Sequence, residues 1–256
     1  MTTLNSSQKL TAEMILSNLL ESSDGMTSKS SQTYKCQYCN KEFKKESTLT
    51  AHLCEKKRRW QQEKETGVQF GLRAYVRFYE YTQTGKPKTY ADFVDSPYYI
   101  AFAKFGRHCV AIKCLNLISF VNWLLKNNKK LDDWCKDSFY QEWMYDYLRK
   151  ENAQDALERG LLTMQKYADA TEGMADFSGY FRYGNANRIC YHISTGRISP
   201  WVIYNCDSGV SFLSSLSEEQ VGMIMQWIDP DYWNRTLREL KADVSWCKEI
   251  LKAAGL

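Results

Sequence analysis

The chain has 256 residues, of which 44% are apolar and 14% aromatic, a composition that supports one sizeable packed domain with a small appendage. This composition excludes a disordered chain, and no apolar run approaches the roughly twenty residues that cross a bilayer. The formal net charge is only +4, from 34 basic and 30 acidic residues. We therefore expect a globular, cytoplasmic protein with no membrane partner.

The chain begins with a short amphipathic pattern followed by a polar stretch. Apolar side chains recur at helical spacing at Leu10, Met14, Ile15, Leu19 and Leu20. Residues 22–33 are then small and polar, which is typical of a flexible linker. We assign residues 1–33 to this helix and linker. The helix could dock on the main body of its own chain or on a partner, and the sequence leaves both open.

The segment after the linker carries the spacing of a metal-ligand set. Cys36 and Cys39 form a C-x2-C pair, whose two thiolates can hold one tetrahedral ion, and His52 follows after twelve residues. Between them, Phe43 and Leu49 occupy the positions where a ββα finger has its two core residues. The pattern resembles the C2H2-type zinc-finger family. The resemblance implies a ββα unit that is too short to fold alone and is stabilised by a structural Zn2+ ion.

The fourth ligand departs from that family. Its members carry this ligand three to five residues after the histidine, whereas Cys54 follows His52 by two. Residues two apart on an α-helix point to nearly opposite sides, so Cys54 can join His52 only where the helix unwinds. We expect a Cys3His variant with a broken last turn. The alternatives are a three-ligand site completed by water, which would resemble a catalytic centre, and a chance alignment without metal.

The resemblance also implies which side chains would face a nucleic acid. The base-reading positions of the family correspond to Lys45, Ser47, Thr48 and Ala51, on the first turns of the helix that ends at His52. Only Lys45 is well suited to a guanine edge, so we expect weak sequence specificity. Further basic residues flank these positions. The predicted nucleic-acid contacts are Lys44, Lys45, Ser47, Thr48, Lys56, Lys57, Arg58 and Arg59.

Positive charge is concentrated in this segment. Residues 35–64 contain nine Lys or Arg and four Glu, a balance of +5, and since the whole chain carries +4, the remainder carries −1. A basic patch of this kind attracts phosphates and releases counterions, which makes binding sensitive to salt. We expect DNA rather than RNA as the partner. Trp60, beside the basic run, could stack on a base or anchor its helix to the following domain.

We assign residues 34–65 to the finger with a basic helical extension, and residues 66–256 to a helical body. Helical periodicity or capping signals mark Thr89–Phe93, a start at Ser96, 116–128, 131–167, Ser217–Ile228, a start at Asp229 and Ala242–Ala254. Only Trp201–Tyr204 and Ile189–Ile193 look extended. We predict a mainly α fold: a small ββα zinc finger followed by an aromatic-rich helical domain with at most a minor sheet.

Residues 179–209 form the part of the body that is richest in glycine and polar side chains. Six of them could converge on a phosphate or nucleotide: Arg182, Asn185, Asn187, Arg188, His192 and Arg197. The arginines and asparagines form the candidate second surface. The two common phosphate-loop motifs do not occur there, and the segment could equally be an organised loop that pins the fold through hydrogen bonds.

The sequence offers no support for catalysis. His108 beside Cys109, and His192 near Cys190, lack a spaced set of partners, so we predict that the protein is not an enzyme. The cysteines outside the metal set lie among apolar or aromatic neighbours, which fits buried free thiols in a reducing cytoplasm. They are Cys109, Cys114, Cys135, Cys190, Cys206 and Cys247.

Two segments of the body, SPYYIAFAKFGR (96–107) and GRISPWVIYNCDSG (196–209), are similar to proteins of large tailed bacteriophages that join one N-terminal finger to an aromatic helical region. That family has no established activity. The resemblance implies a phage-encoded protein in the host cytoplasm, with phage nucleic acid or replication, transcription or virion proteins as partners. We predict a non-enzymatic zinc-finger protein that binds nucleic acid. The alternatives are a protein-interaction or virion-assembly module with the finger as a docking clip and, last, an enzyme acting on nucleic acid.

Overall fold

A computed structural model describes residues 33–174 and 176–256 of the chain. The chain forms two compact units. The first, the small unit, ends at Gln62, and the second, the helical unit, runs from Glu63 to Leu256. The predicted N-terminal helix and the predicted linker up to residue 32 lie outside the described residues.

The small unit consists of a two-stranded sheet followed by two short helices. Its elements are β1 (Tyr34–Lys35), β2 (Glu42–Phe43), α1 (Glu46–Ala51) and α2 (Glu55–Gln61). The strands are antiparallel, with Tyr34 opposite Phe43. Of the residues described in this unit, Cys36 alone is buried. A hydrophobic core therefore contributes little, and such a unit needs a bound metal ion for most of its stability.

The helical unit is built from α-helices joined by short connections. They are α3 (Thr66–Thr82), α4 (Tyr90–Asp95), α5 (Tyr99–Ala111), α6 (Leu117–Lys126), α7 (Asp137–Lys150), α8 (Ala153–Asp169), α9 (Tyr180–Tyr183), α10 (Ala186–Ser194), α11 (Pro200–Ile203), α12 (Asp207–Ser214), α13 (Glu218–Ile228), α14 (Pro230–Glu239) and α15 (Lys241–Ala253). Two 3-10 turns, Leu131–Asp133 and Phe177–Gly179, lie among them. The described residues of this unit contain no strand, so the predicted mainly α fold is confirmed.

The two segments predicted to be extended are helical, so that prediction is wrong. Ile189–Ile193 lies within α10, and Trp201–Tyr204 lies within α11 and at its end. The caps explain the difference, because the Asn185 side chain caps α10 and Ser199 caps α11 ahead of a proline at the first position. A short apolar run fits either structure by pattern alone, and its flanking caps decide between them.

Most of the other predicted helix starts are confirmed. Side-chain caps stand where they are expected, at Thr89 for α4, Ser217 for α13 and Asp229 for α14, and Asn116 caps the helix that periodicity predicts over 116–128. The helix expected to start at Ser96 begins at Tyr99 instead, because the Ser96 hydroxyl accepts the Tyr98 N–H in a preceding turn. The helical stretch predicted over 131–167 is divided into α7 and α8, since Asn152 caps α8.

Helices α3 and α5 cross at very close range. Gly67 and Gly71 of α3 face Gly106 of α5, and a Cβ on Gly106 would overlap the Gly67 carbonyl oxygen and the Gly71 nitrogen. The two backbones can approach this closely only because these positions carry no side chain. Arg107 fixes the crossing through a bidentate pair with Glu65, with Nε–Oε1 at 2.6 Å and Nη2–Oε2 at 2.8 Å.

Aromatic side chains fill the core of the helical unit. Trp134 is fully buried, and its ring meets those of Phe102 and Phe105 edge-on, with centroids 5.8 and 5.1 Å apart. Its indole N–H donates to the Lys129 carbonyl at 3.0 Å, so the buried polar atom is satisfied. The helical domain is therefore aromatic-rich, as predicted.

The cysteines are free thiols. Of the six in the helical unit, four are buried as predicted, whereas Cys114 and Cys135 are only half-buried. No described helix combines the length and the apolar character that crossing a lipid bilayer requires.

Candidate metal centre and basic cleft

Cys36, Cys39, His52 and Cys54 bring their ligand atoms within 4.8 Å of one another. Cys36 Sγ lies 4.0 Å from Cys54 Sγ. Cys39 Sγ lies 3.3 Å from His52 Nε2. Around a tetrahedral zinc ion, bonds of about 2.3 Å to sulfur and about 2.0 Å to nitrogen place two sulfurs about 3.8 Å apart, and sulfur and nitrogen about 3.5 Å apart. The four donors therefore fit one tetrahedral ion and form a candidate metal site.

A tight turn presents the first two thiols. The Cys36 N–H donates to the Lys41 carbonyl at 2.9 Å, and the Asn40 N–H donates to the Cys36 carbonyl at 2.8 Å. Asn40 adopts the left-handed conformation, with φ at 60°, which asparagine tolerates better than most residues. The backbone N–H groups of Cys39 and Tyr38 lower the pKa of the Cys36 thiol, which favours the thiolate that binds a metal.

The second two donors lie where a helix ends. Helix α1 stops at Ala51, and both His52 (φ −70°, ψ 120°) and Cys54 (φ −81°, ψ 163°) are extended. This is the break that their two-residue spacing requires. Cys54 then caps α2, because its sulfur accepts the Lys57 N–H at 3.4 Å. The Lys57 Nζ also donates to the His52 carbonyl at 3.1 Å, so Lys57 hydrogen-bonds both the Cys54 sulfur and the backbone of His52.

The donor set and its surroundings favour a structural metal. Three thiolates and one imidazole complete a tetrahedral shell, whereas catalytic zinc sites keep one position open. The alternative with three protein ligands and water is therefore not favoured by the geometry. Phe43 packs against the His52 ring, with centroids 4.7 Å apart, and helps to fix the imidazole.

The residues predicted to contact bases lie on the surface beside the metal site. Lys44, Lys45, Ser47 and Thr48 are exposed. Ser47 and Thr48 stand in the first turn of α1, and Lys45 directly precedes that helix. Together they form an exposed polar surface next to the candidate metal centre.

The basic run Lys56–Arg59 surrounds α2 rather than lining one face of it. Successive residues of an α-helix turn by about 100°, so four in a row point in all directions. Arg58 Nη1 and Arg59 Nε lie 3.5 and 3.2 Å from the Glu55 carboxylate. The Arg58–Glu55 pair is exposed and contributes little stability, whereas the Arg59 side chain is only 15% exposed. Four basic residues against one Glu leave α2 positively charged.

A cleft in the helical unit, with a volume of about 840 Å³, collects part of the predicted second surface. Two residues of the predicted second surface line it, Arg188 and Arg197, together with His192 from the same segment. Three do not: Arg182, Asn185 and Asn187. Asn185 instead caps α10, and the Asn187 side chain accepts a hydrogen bond from Gln220 at 2.8 Å. The basic residues of the segment thus divide between the cleft and the outer surface.

Sequence reasoning did not find the other basic residues of this cleft, Lys113, Arg159 and Lys166. Lys113 follows α5, and the other two lie on α8, so all three are distant from α10 in sequence. Only the folded chain brings them together. The one available signal is that Arg159 and Lys166 stand seven apart on one helix and therefore share a face.

The two histidines considered for catalysis lie beside a carboxylate and beside a tyrosine hydroxyl. His108 Nε2 lies 3.8 Å from Asp137 Oδ1, and burial lowers the His108 pKa. His192 Nδ1 lies 2.7 Å from the Tyr180 hydroxyl. Burial raises the pKa of the Cys190 thiol, which makes it a poor nucleophile.

Comparisons of the chain with models of protein families, with curated proteins and with solved structures find no match. The likeness to a zinc finger therefore rests on the four donor residues and the ββα arrangement around them. None of the comparisons supports the likeness to bacteriophage proteins, which stays a prediction from two sequence segments.

Proposed function

We propose that the small unit is a zinc-stabilised module that binds the phosphate backbone of nucleic acid, DNA before RNA, with weak sequence specificity. The observation that carries this proposal is the convergence of Cys36, Cys39, His52 and Cys54 on a space that fits one tetrahedral ion. Thiolate and imidazole donors in tetrahedral geometry are typical of zinc. The ion would therefore have a structural role, and the surface around it would bind the ligand.

The charge of the small unit supports a polyanionic partner. A divalent ion held by three thiolates carries a formal charge of −1, so the +5 of residues 35–64 would fall only to about +4. Lys44 and Lys45 are exposed beside α1, and the Arg58 side chain is 55% exposed on α2. Cations placed in this way bind phosphates through counterion release, without reading bases.

The proposed role is binding without catalysis. A shell with four protein donors leaves no position at the metal for a substrate or an activated water. In the helical unit, the buried histidine His192 hydrogen-bonds a tyrosine hydroxyl rather than a nucleophile. Both features support a protein that holds its ligand without transforming it.

A salt titration tests the proposal. The zinc-loaded full chain is compared with the variant Lys44→Gln/Lys45→Gln/Arg58→Gln in mobility-shift or anisotropy assays with several DNA sequences. The affinity should fall similarly for all sequences, and the slope of log K against log salt should become shallower by about 3. The matched control is Lys241→Gln/Lys248→Gln/Lys252→Gln, which removes three exposed charges from α15. Equal slopes for the two variants, or no DNA binding by the wild type, would overturn the proposal.

One observation favours the docking-clip alternative. Leu53 stands between the two donors His52 and Cys54 and is 52% exposed. In a docking clip this side chain would be the apolar contact with the protein partner, although single exposed apolar residues are common on protein surfaces. In that case Leu53→Ser should abolish a protein complex while the DNA affinity, if any, stays unchanged.

A further inference from the structure

The cleft of the helical unit has the size and charge of a binding site. It opens between α8, α10 and the loop after α5, and its volume of about 840 Å³ lies in the range of small-molecule sites, roughly 300–1,000 Å³. Its lining carries five basic and two acidic side chains. The part of the chain outside residues 35–64 has a balance of −1, so this excess of positive charge is local.

Three of these cations converge without carboxylate partners. Arg188 and Arg197 flank the Tyr191 ring, with their guanidinium carbons 5.3 and 5.5 Å from its centroid. Among the described residues, neither arginine nor Lys113 has a carboxylate oxygen within 4.0 Å. A hydrogen bond from Arg197 and the charges of Arg197, Lys113 and Arg188 lower the Tyr191 pKa, so the three cations act on the same ring. Like charges held together repel, so the arrangement favours an anion.

Arg159 also lines the cleft, but unlike the other three cations it has a buried carboxylate partner and a structural role. Its Nη2 lies 2.6 Å from the Glu151 carboxylate, which is almost fully buried, and its Nε donates to the Gly196 carbonyl at 2.7 Å. Ser199 adds a hydrogen bond to the same carboxylate at 2.7 Å. Lys113, Arg188 and Arg197 have no such neutralising carboxylate among the described residues.

The backbone holds two of the three cations in place. Lys113 has φ at 53°, a left-handed conformation that costs free energy for a lysine, and its N–H donates to the Val110 carbonyl at 3.1 Å. The Arg197 N–H donates to the His192 carbonyl at 2.8 Å, and Arg197 Nη1 donates to the Thr195 hydroxyl at 2.9 Å. Lys113 is the left-handed residue of the Schellman motif that ends α5, since the Cys114 N–H also donates to the Cys109 carbonyl at 2.9 Å, and this helix end sets its position in the lining of the cleft.

His192 adds a neutral hydrogen-bond donor. It is buried, and its Nδ1 lies 2.7 Å from the hydroxyl of the buried Tyr180. When the Tyr180 hydroxyl donates to this nitrogen, the neutral imidazole carries its proton on Nε2. Burial, with the charges of Arg188, Arg197 and Lys113, lowers the His192 pKa to about 4. His192 lines the cleft, so a neutral imidazole lies at its wall at pH 7.

We propose that this cleft binds the phosphate of a nucleotide, between Lys113, Arg188 and Arg197, with the His192 Nε2–H as a further donor. Guanidinium groups match phosphate oxygens in a bidentate way, and a lysine adds a point charge. The nucleotide could be free or could be the 5′ end of a nucleic acid, since both offer the same phosphate.

The walls of the cleft suit the rest of a nucleotide. Leu162 is 53% exposed, and Tyr147 and Tyr167 line the same space. The Tyr167 hydroxyl accepts the Asn185 N–H at 2.9 Å, so its ring is held at the start of α10 near Arg188. An aromatic ring and an apolar side chain offer a base a surface to stack on. The site lies wholly in the helical unit and does not rest on the proposed function of the small unit.

Calorimetric titration of the zinc-loaded full chain tests the proposal with inorganic phosphate, ATP, GTP and a 5′-phosphorylated oligonucleotide with its unphosphorylated counterpart. The variant is Arg188→Gln/Arg197→Gln, and the matched control is Arg182→Gln/Arg238→Gln, which removes two exposed arginines outside the cleft. The dissociation constant of the nucleotide, or of the phosphorylated end, should rise at least tenfold in the variant and stay within twofold in the control. The melting temperature of each variant is measured beside the titration, so that affinities are compared only between folded proteins.

The outcomes separate the ligand sources and can overturn the proposal. If wild type binds ATP or GTP and the variant does not, the ligand is a free nucleotide. If the variant loses only the binding of the phosphorylated oligonucleotide, the ligand is the 5′ end of a nucleic acid. Inorganic phosphate that binds as tightly as every nucleotide overturns the nucleotide assignment. No binding of any probe, or equal effects of variant and control, overturns the site. Lysines 44 and 45 are unchanged in this test, so its failure is distinct from a failure of DNA binding by the small unit.

Discussion

The two units of this protein obtain their stability in different ways. In the described part of the small unit, the single buried residue is Cys36, itself a candidate metal ligand. The helical unit instead buries a continuous apolar core that includes Trp134, Phe105 and Phe120. A core of that size folds without help, whereas two short strands and two short helices do not. Metal dependence should therefore belong to the small unit, and sensitivity to packing should belong to the helical unit.

Removal of the metal should have the largest effect and should be confined to the small unit. Structural zinc contributes about 10–16 kcal/mol to the folding of finger peptides, far more than this unit can gain from apolar burial. Chelation, or the substitution Cys39→Ala, should remove hydrogen-exchange protection from residues 34–62. Residues 66–256 should keep theirs.

The matched control for that experiment is Cys135→Ala. This thiol is half-buried in the helical unit and lies outside the candidate metal site, so the zinc content should not change. Protection of residues 34–62 that survives complete removal of the metal would contradict the division between the units.

The close crossing of α3 and α5 should dominate the stability of the helical unit. In Gly106→Ala, the new methyl group meets backbone atoms of Gly67 and Gly71, which cannot move aside as a side chain can. We expect a loss of more than about 3 kcal/mol of unfolding free energy, measured by urea denaturation. Zinc binding by the small unit should be unchanged.

Gly222→Ala is the control, and it should change the unfolding free energy in the opposite direction. Gly222 lies within α13, and a Cβ there meets nothing within 4 Å. Alanine should raise the unfolding free energy by about 0.5–1 kcal/mol, because glycine is a poor helix former. Equal effects of the two substitutions would show that the crossing is not tightly packed.

The buried His192 should make the helical unit sensitive to acid. Its folded pKa is about 4, below the ordinary value near 6.5, because of burial and three nearby cations. As the pH falls, the unfolded chain therefore binds this proton at a higher pH than the folded chain does. The stabilisation of the folded state by neutral His192 is complete above pH 6.5 and is lost as the pH falls to about 4. The loss should reach about 3 kcal/mol.

A difference measurement isolates this histidine. Glu151 acts in the opposite direction, since burial raises its pKa and the folded state keeps its proton to higher pH. The unfolding free energy should therefore be compared between wild type and His192→Gln at each pH from 7 to 4. The advantage of the wild type should shrink as the pH falls, and a constant difference would show that His192 does not titrate as described.

Local signals in the sequence predict the elements well, whereas contacts between distant segments are not predicted. The C-x2-C pair, the two-residue step to Cys54 and the caps at Thr89 and Ser217 each act within a few residues, so spacing is enough. The extended segment predicted at Trp201 failed because a run of four apolar residues does not distinguish strand from helix.

The basic cleft shows the limit of sequence reasoning more sharply. Arg188 and Arg197 stand out in a polar segment, but Lys113 and Lys166 reach the same cleft from separate elements. Nothing in their local sequence distinguishes them from solvated surface lysines. The missing information is the tertiary packing of α5, α8 and α10, which depends on contacts such as the Tyr167 hydroxyl with the Asn185 N–H.

The smallest expected effect concerns the charges around α2. Glu55 lies 3.5 Å from Arg58 and 3.2 Å from Arg59, and its own side chain is 50% exposed. Glu55→Gln should therefore lower the stability of the small unit by no more than about 0.5 kcal/mol. Because the substitution also removes a negative charge beside two arginines, DNA affinity at low salt should rise a few-fold, and the gain should disappear at high salt. Glu249→Gln on α15, also exposed, is the control and should leave DNA affinity unchanged. An equal gain in both variants would mean that DNA affinity depends on the net charge of the whole chain. The small unit would then not be the DNA-binding surface.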